Sequence, residues 1–182
     1  AIAWTQDLPM NDPETANKRY LERLEAELSR SKTVKRAVLL GMDGVYDSSG
    51  KLDESHTDFL IANDCVLAAA AGSERFWAGV SINPMRADAA AEAERCAALG
   101  AVLVKVLPNA QCFDPAEPRF KAFYRTLAKR GLALLSHVGF EFSLIGQDQS
   151  VGDPGRLRPA LDEGVLVIAA HGCSTGRVVW EK

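Results

Sequence analysis

Three polar residues interrupt otherwise apolar stretches of this chain, and their types suit chemistry. Lys105 lies within Val102-Leu103-Val104-Lys105-Val106-Leu107, His137 ends Leu134-Leu135-Ser136-His137, and His171 ends Val167-Ile168-Ala169-Ala170-His171. Neutral imidazole is the commonest side-chain ligand of transition metals, and a ring that titrates near pH 6.5 also serves as a general base. Two of the chain's three histidines close similar apolar runs, which points to metal binding or proton transfer. Lys105 admits three roles: a cation that neutralises carboxylates or a substrate anion, a Schiff-base nucleophile, or a lysine that snorkels to the rim. The remaining histidine, His56, follows Asp53 and Glu54 in a polar stretch and reads as solvated. Asp43, Asp47, Glu141 and Asp148 fall in loops after apolar runs, where an acid ordinarily just meets water.

Five apolar runs, at 37–41, 76–82, 101–107, 132–137 and 165–171, must position these side chains. Their near-continuous apolar character predicts parallel strands covered on both faces. Between them lie helix signals. Asp12 caps a helix with Pro13 in its first turn and a stripe of Tyr20, Leu21, Leu24 and Leu28. Ser55 opens a second carrying Phe59, Leu60, Val66 and Leu67, and Asp88 opens an Ala-rich third that Gly100 closes. Phe120, Phe123, Tyr124 and Leu127 mark a fourth ended by Gly131. A short fifth is predicted near 157–161, with Pro159 opposing it. Strand starts recur roughly 25 to 40 residues apart, the spacing of β/α units, so the fold class is α/β. A doubly wound sheet and a (β/α)8 barrel both satisfy that spacing, while the G-x-G-x-x-G and P-loop patterns are absent.

The 182 residues are 47% hydrophobic and 25% charged with a net charge of -3, the profile of a single domain spanning 1–182. No Lys/Arg cluster suggests a nucleic-acid partner. The longest wholly apolar run, 165–170, is far short of the roughly 20 residues that span a bilayer. Residues 1–7 lack the basic and apolar regions of a signal peptide, and the absence of an initial methionine suggests a trimmed chain. Cys65, Cys96, Cys112 and Cys173 form no C-x-x-C pair and read as reduced thiols of a cytoplasmic protein.

The ordered succession Phe76-Trp77-Ala78-Gly79-Val80-Ser81-Ile82-Asn83-Pro84, Ala98-Leu99-Gly100-Ala101, Val104-Lys105-Val106-Leu107-Pro108-Asn109, Ser136-His137-Val138-Gly139 and Ala169-Ala170-His171-Gly172 resembles the amidohydrolase-related family of the amidohydrolase superfamily. The likeness runs from about Tyr20 to Gly176. It implies a distorted (β/α)8 barrel holding a divalent metal, usually zinc. That metal activates water for hydrolysis of an amide, ester or lactone, or in some members serves non-oxidative decarboxylation. By the same likeness His137 is a metal ligand, and His171 polarises or deprotonates the activated water. The family pattern also includes a His-x-His on the first strand and an aspartate on the eighth. No His-x-His occurs here, and the sequence stops at Lys182, just beyond the sixth strand of that pattern.

The expected fold is therefore of the (β/α)8 TIM-barrel type, an incomplete set of β/α units lacking the first and last strands. The expected activity is that of a metal-dependent hydrolase on a small molecule, with His171 and Lys105 as catalytic residues and room for a homo-oligomer. These 182 residues alone should bind zinc weakly or not at all, whereas the complete protein of that pattern should hold one divalent ion beside His137. Two alternatives come from other classes. One is a Schiff-base aldolase or lyase built on Lys105, which needs no metal. The other is an inactive fragment, or a subunit whose exposed sheet edges a partner covers.

Overall fold

A computed structural model describes residues 11–141, 144 and 148–173. The five apolar runs form five parallel strands: β1 (Ala37–Leu40), β2 (Phe76–Ser81), β3 (Ala101–Val106), β4 (Ala133–His137) and β5 (Val167–Ala170). They pair in chain order, β1-β2-β3-β4-β5. Ser81 lies opposite Lys105, Lys105 opposite Leu135, and His137 opposite Ala170. Side chains alternate between the faces of a strand, so this register puts Ser81, Lys105, Leu135 and His137 on one face.

Local chemistry sets the helix boundaries. The first helix, α1 (Pro13–Arg30), begins where the Asp12 carboxylate accepts the Thr15 N–H at 3.1 Å. α2 (Asn63–Ala71) starts well after Ser55. The intervening chain is held extended by an antiparallel bridge between Met42 and Ile61, and Asp53 caps only a short 3-10 turn, Glu54–His56. Phe59 and Leu60, expected on that helix, are exposed instead. α3 (Ala89–Ala98) follows Asp88, the four-residue α4 (Pro108–Gln111) follows β3, and α5 (Lys121–Arg130) ends at Gly131 with φ +67°. α6 (Arg158–Asp162) tolerates Pro159 because that residue lies in the first turn, where no helical N–H is needed. None of the helices among the described residues is long and apolar enough to cross a membrane.

One core lies between the sheet and its helices. Val66 and Leu67 of α2, Ala93 and Cys96 of α3, Phe123, Tyr124 and Leu127 of α5 and Ala160 of α6 pack with Ala78, Val80, Val104, Val106 and Leu134 of the strands. These strand residues all belong to the face opposite Lys105. On the Lys105 face Leu40, Trp77 and Ile168 stay exposed, so among the described residues helices cover the sheet on one face and not on both.

The expected TIM-barrel type is overturned here. Among the described residues five strands, not eight units, form an open half-barrel sheet whose outer members β1 and β5 do not pair with each other. Each crossover advances one strand in the same direction, so the connecting helices accumulate on one side. With no reversal of strand order, the sheet is not doubly wound either. Closure requires the first and last strands to meet, and the apolar pattern of a single strand is the same whether they do or not.

Candidate active site at the carboxyl ends of the strands

Lys105 occupies the fifth position of β3, where alternation turns its side chain to the face without helices. The residue is 8% exposed, and its ammonium has no hydrogen-bond partner among the described residues. Burial pulls its pKa down from 10.5 to about 8, partly offset by the nearby Glu141 carboxylate. Between those two pH values the unfolded chain keeps a proton that the folded chain has shed. This residue's contribution to stability therefore rises with pH across about 8 to 10.5. The urea midpoint of the wild type, measured relative to Lys105→Met, should climb over that window; a flat difference would show that the ammonium is solvated.

His137 closes β4 and is buried. Its Nε2 lies 3.3 Å from the Phe140 carbonyl, and its Nδ1 lies 3.7 Å from the Glu141 carboxylate. Burial first, then Lys105 and His171, hold its pKa below 6.5 against the opposing pull of the Phe140 carbonyl and Glu141. The neutral ring is thereby favoured. With Nε2–H donated to Phe140, the Nδ1 lone pair is directed at a carboxylate. Two electron-pair donors facing each other repel unless a proton or cation lies between them.

The loop that carries Glu141 is held shut by amides. Gln149 Oε1 accepts the Glu141 N–H at 2.9 Å while Gln149 Nε2 donates to the Glu141 carbonyl at 3.0 Å. Asn109 Nδ2 donates in turn to Gln149 Oε1 at 3.1 Å. The Gly139 N–H donates to the Gly152 carbonyl at 2.8 Å, and a Cβ on Gly152 would stand 2.1 Å from the Gly139 oxygen. Gly152→Ala should therefore force the two loop arms apart, cost about 1–3 kcal/mol and weaken whatever Glu141 and His137 hold. An unchanged melting temperature would show that the loop yields freely.

His171 follows β5 and is exposed, with its ring centroid 5.0 Å from that of His137 and the planes inclined at 59°. Its φ is +64°, a left-handed backbone that non-glycine residues adopt in only a few per cent of cases, histidine more readily than most. Such local strain is often found at functional positions. The structure thus brings His137, His171, Glu141 and Lys105 into one electrostatic cluster. His56 stands apart, exposed, with Nδ1 2.7 Å from Asp53 Oδ2. Asp47 and Asp148 stabilise their own turns through Ser49 and Ser150.

Asp43 departs from the solvated role expected of a loop acid. It is buried, accepting the Tyr46 hydroxyl at 2.8 Å and the Asn83 N–H at 2.9 Å, with Arg86 Nη1 at 3.4 Å. Asn83 Nδ2 donates to the Gly44 and Gln111 carbonyls, and Gln111 Nε2 donates to the Asp43 carbonyl and the Ser81 hydroxyl. This network fastens the carboxyl ends of β1, β2 and β3 together. Sequence reasoning gave no role to Asn83, Asn109, Gln111 or Gln149, since an amide in a loop has no spacing signature. The reading of residues 1–7 lies outside the described residues.

The donor chemistry around His137 suits a divalent metal in part. Zinc with bonds of about 2.1 Å holds tetrahedral nitrogen and oxygen donors about 3.4 Å apart, close to the 3.7 Å between His137 Nδ1 and Glu141. Among the described residues no group of three His, Cys, Asp or Glu side chains completes a coordination sphere. No family model, curated protein or solved structure matches the chain.

Proposed function

We propose that this chain carries part of the active site of a metal-dependent hydrolase related to the amidohydrolases. Its substrate would be a small-molecule amide, ester or lactone, with decarboxylation as the nearest variant of the same chemistry. The observation that carries this reading is the 3.7 Å approach of His137 Nδ1 to the Glu141 carboxylate, inside a cluster with His171 and Lys105. A divalent ion, when bound, supplies Lewis-acid activation of water, and zinc suits these ligands. His137 would hold it through Nδ1 with Glu141 alongside, and at least one further donor is needed beyond them. The Phe140 carbonyl fixes the tautomer by accepting from Nε2. His171, one ring away and open to solvent, takes the proton at a ring nitrogen as general base.

The direct test is hydrolysis of a panel of nitrophenyl esters, anilides and lactones by the full chain with zinc or with a chelator. Activity present with zinc and abolished by the chelator is the expected result. Turnover indifferent to both would refute the metal-dependent reading.

The lowered pKa of Lys105 favours a second reading, a Schiff-base aldolase or lyase. Borohydride trapping of pyruvate on Lys105, with chelator-insensitive activity, would select it. A cytoplasmic setting is supported by the free thiols Cys65 and Cys96. A homo-oligomer is supported by the open sheet face with exposed Leu40, Trp77 and Ile168; sedimentation at several concentrations reads it.

A further inference from the structure

We infer that Lys105 forms a subsite for a carboxylate of the substrate. Building on the hydrolase reading, this inference names the chemical class of molecule that the site takes.

The argument starts from a charge without a partner. Lys105 is 8% exposed, and its Nζ meets no hydrogen-bond acceptor among the described residues. Buried polar groups in folded proteins are paired in the great majority of cases, and an isolated buried charge is far more costly than an isolated neutral group. The neighbouring acceptors are occupied. Ser81 Oγ donates to the Lys105 carbonyl at 2.8 Å and accepts from Gln111 Nε2 at 3.3 Å. Gln111 Oε1 is taken by the Leu107 N–H at 2.7 Å. Glu141 attracts the ammonium without a hydrogen bond between them.

Position adds the second part. Lys105 and His137 share a face of the sheet on adjacent strands, and His137 feels the Lys105 charge. A ligand oxygen at Nζ therefore places the rest of the molecule beside the two imidazoles. One cation beside an existing carboxylate suits a monoanion better than a phosphate dianion, which usually gathers several cationic or N–H donors.

The test compares benzoate with its neutral isostere benzamide, and with inorganic phosphate, by calorimetric titration of the full chain. Chelator is present throughout, so that no metal contributes to binding. Benzoate should bind at least 10-fold more tightly than benzamide and more tightly than phosphate, with the preference lost in both Lys105→Met and Lys105→Gln. Equal binding of benzoate and benzamide, or a preference that survives both substitutions, overturns the subsite; tighter binding of phosphate overturns the assignment to carboxylate. Zinc binding by His137 is read separately. If zinc fails to bind while the benzoate preference stands, the hydrolase reading falls and the subsite remains.

Discussion

Replacing His171 by alanine should lower zinc-dependent hydrolysis by about 10²- to 10⁴-fold, the usual worth of a positioned general base. The effect should fall mainly on kcat, because the lost group acts on a proton in the transition state and not on the resting substrate. Its ring lies 5.0 Å from His137 by centroid and is exposed, so removing it leaves no cavity in the core. Far-ultraviolet circular dichroism and the melting temperature should therefore match the wild type. His171→Gln, which keeps a polar side chain but cannot accept and return a proton at neutral pH, should be as slow as alanine. Activity within a factor of two of wild type in either variant would remove His171 from the mechanism.

The largest effect on stability is expected at Asp43. Its carboxylate accepts from the Tyr46 hydroxyl, the Asn83 N–H and the Gly44 N–H, and faces the partly buried Arg86 guanidinium. Burial first, then the negative charge of Asp43, raises the Tyr46 pKa, so the hydroxyl keeps its proton and donates. Asp43→Ala strands two buried backbone N–H groups and removes one of the two carboxylates that face the partly buried Arg86 cation. Breaking such a pair from one side costs about 3–5 kcal/mol. Arg86 also pairs with Asp88 at 2.8 Å, which keeps the cation partly compensated and places the expected loss toward the lower end. Equilibrium urea unfolding measures it. A loss under about 1 kcal/mol would mean that the network is solvated and does not tie the strand ends together.

The strands were legible because each is a run of apolar residues closed by a polar or turn-forming one, and Gly131 marked a helix end because a left-handed position strongly favours glycine. The architecture was less so. Val38, Leu40, Trp77 and Ile168 look as apolar as Val80 and Val104, yet the first group lies on the face without helices and the second in the core. Side-chain type alone does not say which face a helix covers, nor whether the outer strands meet. The second helix was placed too early because Ser55 resembles a cap, while the bridge from Met42 to Ile61 that holds the chain extended is a tertiary contact.

Within the site, Lys105, His137 and His171 stood out as polar residues in apolar runs, and the structure brings them together. Asp43 did not, because its partners Asn83 and Arg86 are distant in sequence and nothing in the local pattern announces its burial. Glu141 was one loop acid among several. What distinguishes it from Asp47 and Asp148 is the hydrogen bonding of Gln149 and Asn109, which holds its loop against β4.

The central claim, that His137 offers Nδ1 to a metal beside Glu141, is most directly tested by imidazole nitrogen NMR of the full chain during zinc titration. The chain's three histidines give three assignable ring systems, and His56, paired with Asp53 away from the cluster, serves as an internal control. The account predicts that zinc moves the His137 Nδ1 resonance while Nε2 stays protonated, that His171 responds with it, that His56 does not, and that chelator reverses the change. If His137 Nδ1 stays fixed while zinc saturates the chain, or if only His56 responds, the proposed metal site is wrong.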